Sequence, residues 1–290
     1  MEKLLGEKIF IMITKVIDIN DITEIRIRCN NELCVKTKDE RIFITNISNN
    51  KNYIVEQKDI DHILQVASEY SMYSVDNQLI KGFITYSKGI RIGIVGEAVY
   101  IDNKIKRFKN INSLVIRLPH EIKGCASKVF NYIYKNGQVN NTLIVSKPGL
   151  GKTTLLRDVA RMISNSNFDT MIIDERNEIA GKYKNECFDL GKCSDIFTFI
   201  NKNDAYEICI RACNPEVIIV DELYGEEEFN KINNINNLGI CIISTMHFDS
   251  TFDIKFSKYY KYIKNIFQYI IFLDCNNVGV VSKIIKVNDV

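Results

Sequence analysis

The sequence has few of the features that characterise disordered or strongly charged chains. Its 290 residues include no tryptophan and only three prolines, and 38 lysines and arginines nearly balance 36 aspartates and glutamates, which gives a formal net charge of +2. This balance argues against a polybasic nucleic-acid-binding tail and against an acidic tail. Hydrophobic residues make up 46% and charged residues 26%, which is typical of a folded globular protein. The length predicts two domains.

Long apolar runs and paired cysteines are also missing. The apolar run at Ile9 to Ile13 is too short for the core of a signal peptide, and no stretch approaches the roughly 20 apolar residues that a membrane-spanning helix needs. None of the nine cysteines forms the C-x-x-C pair of a zinc ribbon or a redox motif. The sequence therefore predicts a cytoplasmic protein with reduced cysteines and no integral membrane segment.

Residues 1–120 predict an N-terminal α+β domain. The runs ITEIRIR, LCVKT and RIFIT have the length and composition of strands, and the run DIDHILQVASEY has apolar residues at helical spacing with Asp59 as a candidate N-cap. The run GFITYSKGIRIGIVG predicts a β-hairpin that turns near Gly89. We place the end of this domain at the break formed by Leu118 and Pro119.

Residues 121–290 predict a second domain, in which strands and helices alternate as they do around a parallel sheet. Four apolar runs predict buried strands, namely TLIVS, TMIID, VIIVD and GICIIST. Helices are predicted for KTTLLRDVARMIS and DAYEICIRAC, the second with a capping box formed by Asp204 and Glu207. The last part of the chain predicts one more helix and two strands.

The segment between the strand TLIVS and the helix after it has the pattern of a phosphate-binding P-loop. Gly149 and Gly151 let the backbone turn so that N–H groups point at phosphate oxygens, Lys152 can reach the β- and γ-phosphates, and the Thr153 hydroxyl can bind Mg²⁺. The pattern G-x-x-x-x-G-K-S/T is met except at its first position, where Ser146 stands. The predicted nucleotide-binding residues are Ser146, Lys147, Pro148, Gly149, Leu150, Gly151, Lys152, Thr153 and Thr154.

Two adjacent carboxylates, Asp221 and Glu222, stand at the end of the predicted strand VIIVD. Beside a P-loop, an aspartate in this position helps to hold Mg²⁺, and the glutamate after it can orient or deprotonate the attacking water. We therefore predict that Thr153 and Asp221 bind Mg²⁺ and that Glu222 is the principal catalytic carboxylate. The two motifs together indicate a domain that hydrolyses ATP or GTP, and we expect ATP.

Further polar residues follow other predicted strands and helices. The strand TMIID ends in Asp174 and is followed by Glu175 and Glu178, at the sheet edge where open α/β folds bind ligands. Thr245 and His247 follow the strand GICIIST and are placed to sense a γ-phosphate, whereas Arg211 lies near the end of a helix. Each of them can also be an ordinary polar terminus of a strand or helix. The candidate catalytic residues are therefore Glu222, Glu175, Lys152, His247 and Arg211.

In their order along the chain, the P-loop, the acidic segment IIDERNEIAG, the segment R-x-x-N-P-E-V-I-I-V-D-E and the segment STMH resemble the motor ATPases of bacterial secretion systems and type IV pili. The acidic segment takes the place of their Asp box, and STMH takes the place of their His box. This resemblance implies an α/β fold with a RecA-like P-loop core that hydrolyses ATP with Mg²⁺. One departure is DELYG, which lacks the arginine of the motors' G-E-I/L-R-D stretch.

Motifs in both domains are similar to the stage III sporulation AA proteins of endospore-forming Firmicutes. They are EIRIR, GFITYSKGIRIGIVGEA, INSLVIRLPHEIKGCA and IIDERNEIAG, and the likeness extends over nearly the whole chain. It implies a cytoplasmic ATPase of the mother cell, assembled as a homo-oligomer, a hexamer, at the membrane. Such a protein powers or assembles the channel between mother cell and forespore, with membrane proteins of a secretion-like sporulation complex as partners.

Two other functions remain open. One is a nucleic-acid-dependent ATPase on the same RecA-like core, such as a helicase or a DNA-repair motor. The small net charge and the lack of a basic stripe interleaved with aromatic residues argue against it, so we expect no nucleic acid as a partner. The other is a nucleotide-gated scaffold without hydrolysis, which the presence of Lys152, Asp221 and Glu222 disfavours.

We also expect activity to require assembly, with nucleotide at subunit interfaces. Phosphoryl transfer needs positive charge on the phosphate oxygens, and the segment LYGEEE after Glu222 carries no arginine. Arg211 could supply that charge from the same chain, and Arg91 or Arg117 of the N-terminal domain could supply it from a neighbouring subunit. Each of these arginines can alternatively be a surface residue or the partner of a carboxylate.

Overall fold

The structure is a computed structural model, and it describes residues 1–69, 76–119 and 121–289. Tyr70, at the end of a run predicted to be helical, and His120 lie outside the described residues. The chain divides into two units. The first comprises Met1–His120 and Tyr183–Glu186, and the second comprises Glu121–Lys182 and Cys187–Val290.

The first unit is built on an antiparallel sheet. Its strands are β1 (Glu24–Arg28), β2 (Cys34–Lys36), β3 (Arg41–Phe43), β4 (Phe83–Tyr86), β5 (Ile90–Ile101) and β6 (Lys104–Arg117), and its helices are α1 (Glu2–Leu5), α2 (Glu7–Thr14), α3 (Gln57–Ala67) and α4 (Asp76–Leu79). The strand order is β3-β2-β1-β6-β5-β4, and each neighbouring pair is antiparallel. The pairing of β4 with β5 confirms the predicted hairpin.

The helix α3 packs against both α1 and β6. It begins at a cap that the sequence did not predict. Glu56 is the N-cap, and Asp59 occupies the third helical position, where its carboxylate accepts the backbone N–H of Glu56 at 2.9 Å. The two residues form a capping box. The prediction of Asp59 as the N-cap was therefore wrong by one helical turn, because an acidic side chain suits both positions of the box.

The second unit contains a large, mostly parallel sheet and a small antiparallel sheet of two strands, β7 (Tyr134–Lys135) and β8 (Gln138–Val139). The strands of the large sheet are β9 (Thr142–Val145), β10 (Thr170–Asp174), β11 (Ser194–Thr198), β12 (Val217–Val220), β13 (Cys241–Met246), β14 (Tyr269–Leu273) and β15 (Val281–Lys286). Its helices are α5 (Ser127–Ile133), α6 (Lys152–Asn165), α7 (Lys202–Ile208), which continues as a π-helical turn at Cys209–Cys213, α8 (Glu226–Asn237), α9 (Thr251–Lys255) and α10 (Tyr260–Ile266).

The order of the large sheet is β11-β10-β12-β13-β9-β14-β15, and its neighbours are parallel except at the pair β14 and β15. Side chains of one strand alternate between two cores, so that Leu143 and Val145 face α7, α8 and α10, whereas Ile144 faces α5 and α6. Burial on both faces accounts for the continuous apolar runs of these strands. Because β9, β10, β12 and β13 run parallel, the loops that follow them meet at one edge of the sheet.

The cap of α7 also differs from the prediction. Asn201 is the N-cap, and its side chain accepts the N–H of Asn203 at 2.9 Å. The predicted capping box of Asp204 and Glu207 was wrong, since the helix begins two residues before Asp204. No helix among the described residues has the length and apolarity needed to cross a membrane.

Candidate functional site

The loop between β9 and α6 turns through glycines with positive φ. The angle is +79° at Gly149 and +93° at Gly151, which residues with side chains rarely adopt. A Cβ atom on Gly151 would also lie 3.3 Å from the backbone of Gly279, whose N–H donates to a loop carbonyl at 3.0 Å. Ser146 has no positive φ, and its hydroxyl donates to the Lys147 carbonyl. Serine in place of the first glycine therefore strains no backbone there.

Lys152 is the first residue of α6, and its side chain is folded back over the loop. The residue is only 7% exposed, and Nζ donates to the carbonyls of Ser146 and Lys147 and to His247 Nδ1, each at 3.0 Å. Because an ammonium group only donates, Nδ1 accepts, and the proton of the neutral imidazole is therefore assigned to Nε2. Burial lowers the pKa of Lys152, and the carboxylates at the end of β12 oppose this effect.

Thr153 and Asp221 form a close pair of oxygen ligands. Thr153 Oγ1 donates to Asp221 Oδ2 at 2.6 Å, and the Thr245 hydroxyl donates to Asp221 Oδ1. Mg²⁺ prefers such oxygens and usually binds few protein groups, together with water and phosphate oxygens. The hydroxyl and the carboxylate stand beside the phosphate-binding loop, so these residues fit a Mg²⁺ that accompanies a nucleotide.

Glu222 follows β12 in the left-handed region, with φ of +57°. Oε1 accepts from His247 Nε2 at 2.8 Å, Oε2 accepts from Arg176 Nη1 at 2.5 Å, and the backbone N–H donates to Thr245 Oγ1 at 2.8 Å. Burial raises the pKa of this carboxyl, but the hydrogen bond from His247 and the charges of Arg176 and Lys202 outweigh it, so that the pKa lies below its ordinary value. Glu222 is therefore ionised at neutral pH, as a general base must be.

The turn that holds Glu222 is fastened by Lys202, the first residue of α7. Nζ donates to the carbonyls of Asp221 and Glu222, each at 2.7 Å, and lies 3.5 Å from Glu228 Oε1. Glu228 is 8% exposed and also accepts from the Tyr206 hydroxyl at 2.8 Å. A largely buried polar network thus fixes the positive φ at the candidate base. No motif marked Glu228 in the sequence.

The residues Asn201–Asp204 match the letters N-K-x-D, a motif with which many GTPases read guanine. Here the segment begins α7. Asn201 caps the helix, and Lys202 binds the main chain of the β12 turn. These contacts give the segment a structural role that does not depend on a base.

Asp174, at the end of β10, organises the acidic segment. It is 2% exposed, and its carboxylate accepts the N–H groups of Glu178 at 2.8 Å and Ala180 at 2.7 Å. Burial raises its pKa, and the backbone hydrogen bonds oppose this. Asp174 therefore shapes the loop, whereas Glu175 and Arg176 are exposed beside the cavities at this edge of the sheet.

Two neighbouring cavities lie between these loops of the second unit. One of about 340 Å³ is lined by Pro148, Gly149, Gly151, Lys152, Thr153, Thr154, Arg176, Glu178, Asp221, Glu222, Thr245 and His247. The other, of about 740 Å³, extends to Glu175 and Lys202 and shares five lining residues with the first, namely Arg176, Glu178, Asp221, Glu222 and His247. The structure thus brings together four of the five candidate catalytic residues.

Over residues 1–288 the chain matches the model of the family described as sporulation stage III, protein AA. The chain belongs to this family. It is 32% identical over 233 residues to the stage III sporulation protein AA of Bacillus subtilis (strain 168), and the match covers 78% of this chain and 73% of that protein. The family predicted from the motifs is therefore confirmed.

The fold of this family member is similar to the folds of solved secretion and pilus ATPases. The Legionella pneumophila ATPase DotB matches with a TM-score of 0.56 and 15% identity, over 87% of this chain and 72% of that chain. The pilus retraction motor PilT with bound ADP matches with a TM-score of 0.60 and 16% identity, over 92% and 76% of the two chains. At these identities the likeness concerns the fold alone, and it confirms the predicted RecA-like P-loop core.

The arginines that the sequence offered for this family member have other partners. Arg211 lines neither cavity, and its Nη2 lies 3.6 Å from Glu207 one helical turn away. In the first unit, Arg91 stands 4.3 Å from the ring centre of Phe83, and Arg117 lies 3.9 Å from a carboxylate oxygen. Arg176, which no motif assigned, lines both cavities. Its position within the segment IIDERNEIAG is the feature of the sequence that could have identified it as a site residue.

Proposed function

We propose that the protein binds ATP with Mg²⁺ in the smaller cavity and hydrolyses it. The observation that carries this proposal is the contact of Thr153 with Asp221, which joins the P-loop to the acidic strand end. A turn that had the P-loop pattern only by chance would not be expected to contact a carboxylate at the end of another strand. The imidazole of His247 contacts both Lys152 and Glu222. The lysine proposed to bind phosphate and the proposed base therefore lie beside each other in this cavity.

In the proposed reaction, backbone N–H groups of the loop bind the phosphates, and Lys152 exchanges its loop carbonyls for phosphate oxygens. Thr153 and Asp221 would hold Mg²⁺, which when bound would supply positive charge to the phosphates. Glu222 orients the attacking water and takes its proton, and Glu175 assists from the neighbouring loop. His247 senses the γ-phosphate, since it already contacts both Lys152 and Glu222.

The test is nucleotide binding and steady-state hydrolysis by the purified chain. We expect Mg²⁺-dependent binding of ATP and slow release of phosphate, with GTP a poorer substrate and with no stimulation by single-stranded DNA. Hydrolysis that depends on DNA would favour the helicase or repair-motor alternative. Binding of ATP without release of phosphate would favour the nucleotide-gated scaffold.

At the level of the cell, we propose that this family member works in the mother cell as the peripheral ATPase of a sporulation complex in the membrane. Membership of the family and the secretion-ATPase fold support this proposal. A pull-down from membranes of sporulating cells should recover membrane proteins of that complex with the wild-type chain. Recovery of nucleic-acid-binding proteins instead would contradict it.

We further propose that the active form is a homo-oligomer, a hexamer, with nucleotide at its subunit interfaces. Arg91 or Arg117 from a neighbouring chain would then add charge to the phosphates. Specific activity should rise with protein concentration. An inactive Lys152→Ala chain mixed with an inactive Arg91→Ala or Arg117→Ala chain should recover part of the turnover. Activity that is independent of concentration in a monomeric sample would rule out the interface.

A further inference from the structure

Both oxygens of the Glu222 carboxylate are engaged in this structure. Oε1 accepts from His247 at 2.8 Å, and Oε2 accepts from Arg176 at 2.5 Å. A general base needs an oxygen that can receive a proton from water. Each carboxylate oxygen has two lone pairs, and His247 and Arg176 each take one position, so fewer positions are left for the attacking water. Departure of one of the two partners would free a position on Glu222 for that water.

The loop that carries Arg176 is firmly held. Besides the two backbone bonds to Asp174, the Asn177 side chain exchanges hydrogen bonds with the backbone of Lys182 at 2.7 and 2.8 Å. Arg157, on the helix that begins at Lys152, donates to the carbonyls of Ile179 at 2.6 Å and Glu178 at 2.7 Å. The main chain of this loop is thus fastened to the P-loop helix.

The side chain of Arg176 is much less constrained than its main chain. Its side chain is 64% exposed, and its ion pair with Glu222 is of the solvent-accessible kind that is weak in water. The same residue lines the cavity of the P-loop, as Lys152 does. A guanidinium binds phosphate oxygens as readily as carboxylate oxygens, through the same forked donors. A γ-phosphate in this cavity would therefore compete with Glu222 for Arg176.

We propose that Arg176 is a catalytic residue of the nucleotide site, which pairs with Glu222 when no nucleotide is bound and transfers to the γ-phosphate of ATP, thereby releasing a carboxylate oxygen for the attacking water. This inference rests on the proposed ATPase function. In the hydrolysis it serves, the water oxygen bonds to the γ-phosphorus and the bond to the bridging oxygen breaks. The electron pair of that bond leaves with ADP, and the water proton passes to the released oxygen of Glu222.

The transfer distinguishes ATP from ADP, because only ATP offers a γ-phosphate to Arg176. Binding of ATP would thus free a position on the Glu222 carboxylate for the attacking water, and loss of phosphate after hydrolysis would restore the ion pair. Each chain would thus respond to ATP through its own Arg176, separately from any arginine that a neighbouring subunit supplies.

The test compares the affinities of ATP and ADP in wild type, Arg176→Gln and Arg176→Lys. In Arg176→Gln we expect ATP affinity to fall about tenfold, as the loss of a charged hydrogen bond implies, while ADP affinity changes by less than about twofold. Arg176→Lys should be intermediate, since it keeps the charge and loses the fork. Lys123→Gln is the matched control, because Lys123 also forms an exposed ion pair, with Asp189, and lines neither cavity.

A structure with a non-hydrolysable ATP analogue gives the second measurement. Arg176 should be within hydrogen-bond distance of the γ-phosphate and separated from Glu222. Equal changes in ATP and ADP affinity, unchanged affinities, or an Arg176 that stays on Glu222 beside the bound analogue would each overturn the inference. These outcomes differ from failure of the proposed function, in which the wild-type chain itself does not bind ATP.

Discussion

The two walls of the candidate nucleotide site are built in different ways. One wall is the P-loop, a continuous segment from Ser146 to Thr154 that offers backbone N–H groups and Lys152. The other wall is assembled from the ends of β10, β12 and β13, with Lys202 behind it, and offers mainly side chains. The first wall suits phosphate binding, whereas the second holds the groups that act on water. The difference predicts that changes in the two walls affect affinity and turnover separately.

The largest effect is expected on the P-loop wall. Lys152→Ala removes an ammonium group that holds two loop carbonyls and the His247 imidazole. We expect ATP affinity to fall by at least about 100-fold, since several charged hydrogen bonds are lost, and hydrolysis to be abolished. Equilibrium titration with a fluorescent ATP analogue measures the first effect. Lys123→Gln is the control. Wild-type turnover in Lys152→Ala would contradict the assignment of the P-loop as the nucleotide-binding wall.

The second effect should fall on turnover alone. Glu222→Gln keeps the size of the side chain and removes the base, so we expect kcat to fall about 10²–10⁴-fold while ATP affinity is kept or slightly raised. Single-turnover hydrolysis together with binding measures both. The parallel variant Glu175→Gln should lose less, because Glu175 is exposed and lines the larger cavity but not the smaller one that holds the P-loop. A larger loss in Glu175→Gln would reverse the two roles.

A third, smaller effect tests whether the assembled wall depends on its support. Lys202→Met removes two charged hydrogen bonds to the turn that carries Glu222 and leaves buried Glu228 without its cation. We expect a loss of about 2–3 kcal/mol in the free energy of unfolding and about a tenfold lower kcat, with ATP affinity kept. Urea unfolding and steady-state assays measure these. Full kcat in a destabilised variant would show that Lys202 stabilises the fold without positioning Glu222.

The same contrast explains what could be predicted from the sequence. The P-loop was recognisable because its chemistry lies in consecutive residues, and Asp221 with Glu222 because a buried strand runs directly into them. Arg176 reaches Glu222 because the sheet order sets β10 and β12 side by side, and Lys202 reaches it from the start of α7. No local pattern encodes either contact. Because Arg176 stands among carboxylates, its segment was interpreted as acidic and no role was assigned to its guanidinium.

The fold shows a similar division. Strands buried on both faces were predicted because their apolar runs are continuous, as at β10 and β12. The edge strand β11 and the helix α8 were not predicted, since SDIFT is half polar and EEEFNKINNINN has few apolar residues. Caps were misplaced at α3 and α7 because side chains that suit an N-cap also suit the third helical position.

The smallest effect is expected at Arg211, and it tests whether the two walls are complete within one chain. Its side chain is 79% exposed, and its pair with Glu207 is a solvent-accessible pair within one helix. Such pairs contribute about 0–1 kcal/mol, so Arg211→Ala should change unfolding free energy by less than about 1 kcal/mol and kcat by less than about twofold in a monomeric sample. Assays over a range of protein concentrations extend the test to assemblies. If Arg211→Ala loses turnover only at concentrations where chains associate, and a Lys152→Ala chain restores it, then Arg211 acts on a neighbouring subunit. Its position outside both cavities would then be a requirement of the assembly, because a residue that serves another chain must face outward from its own.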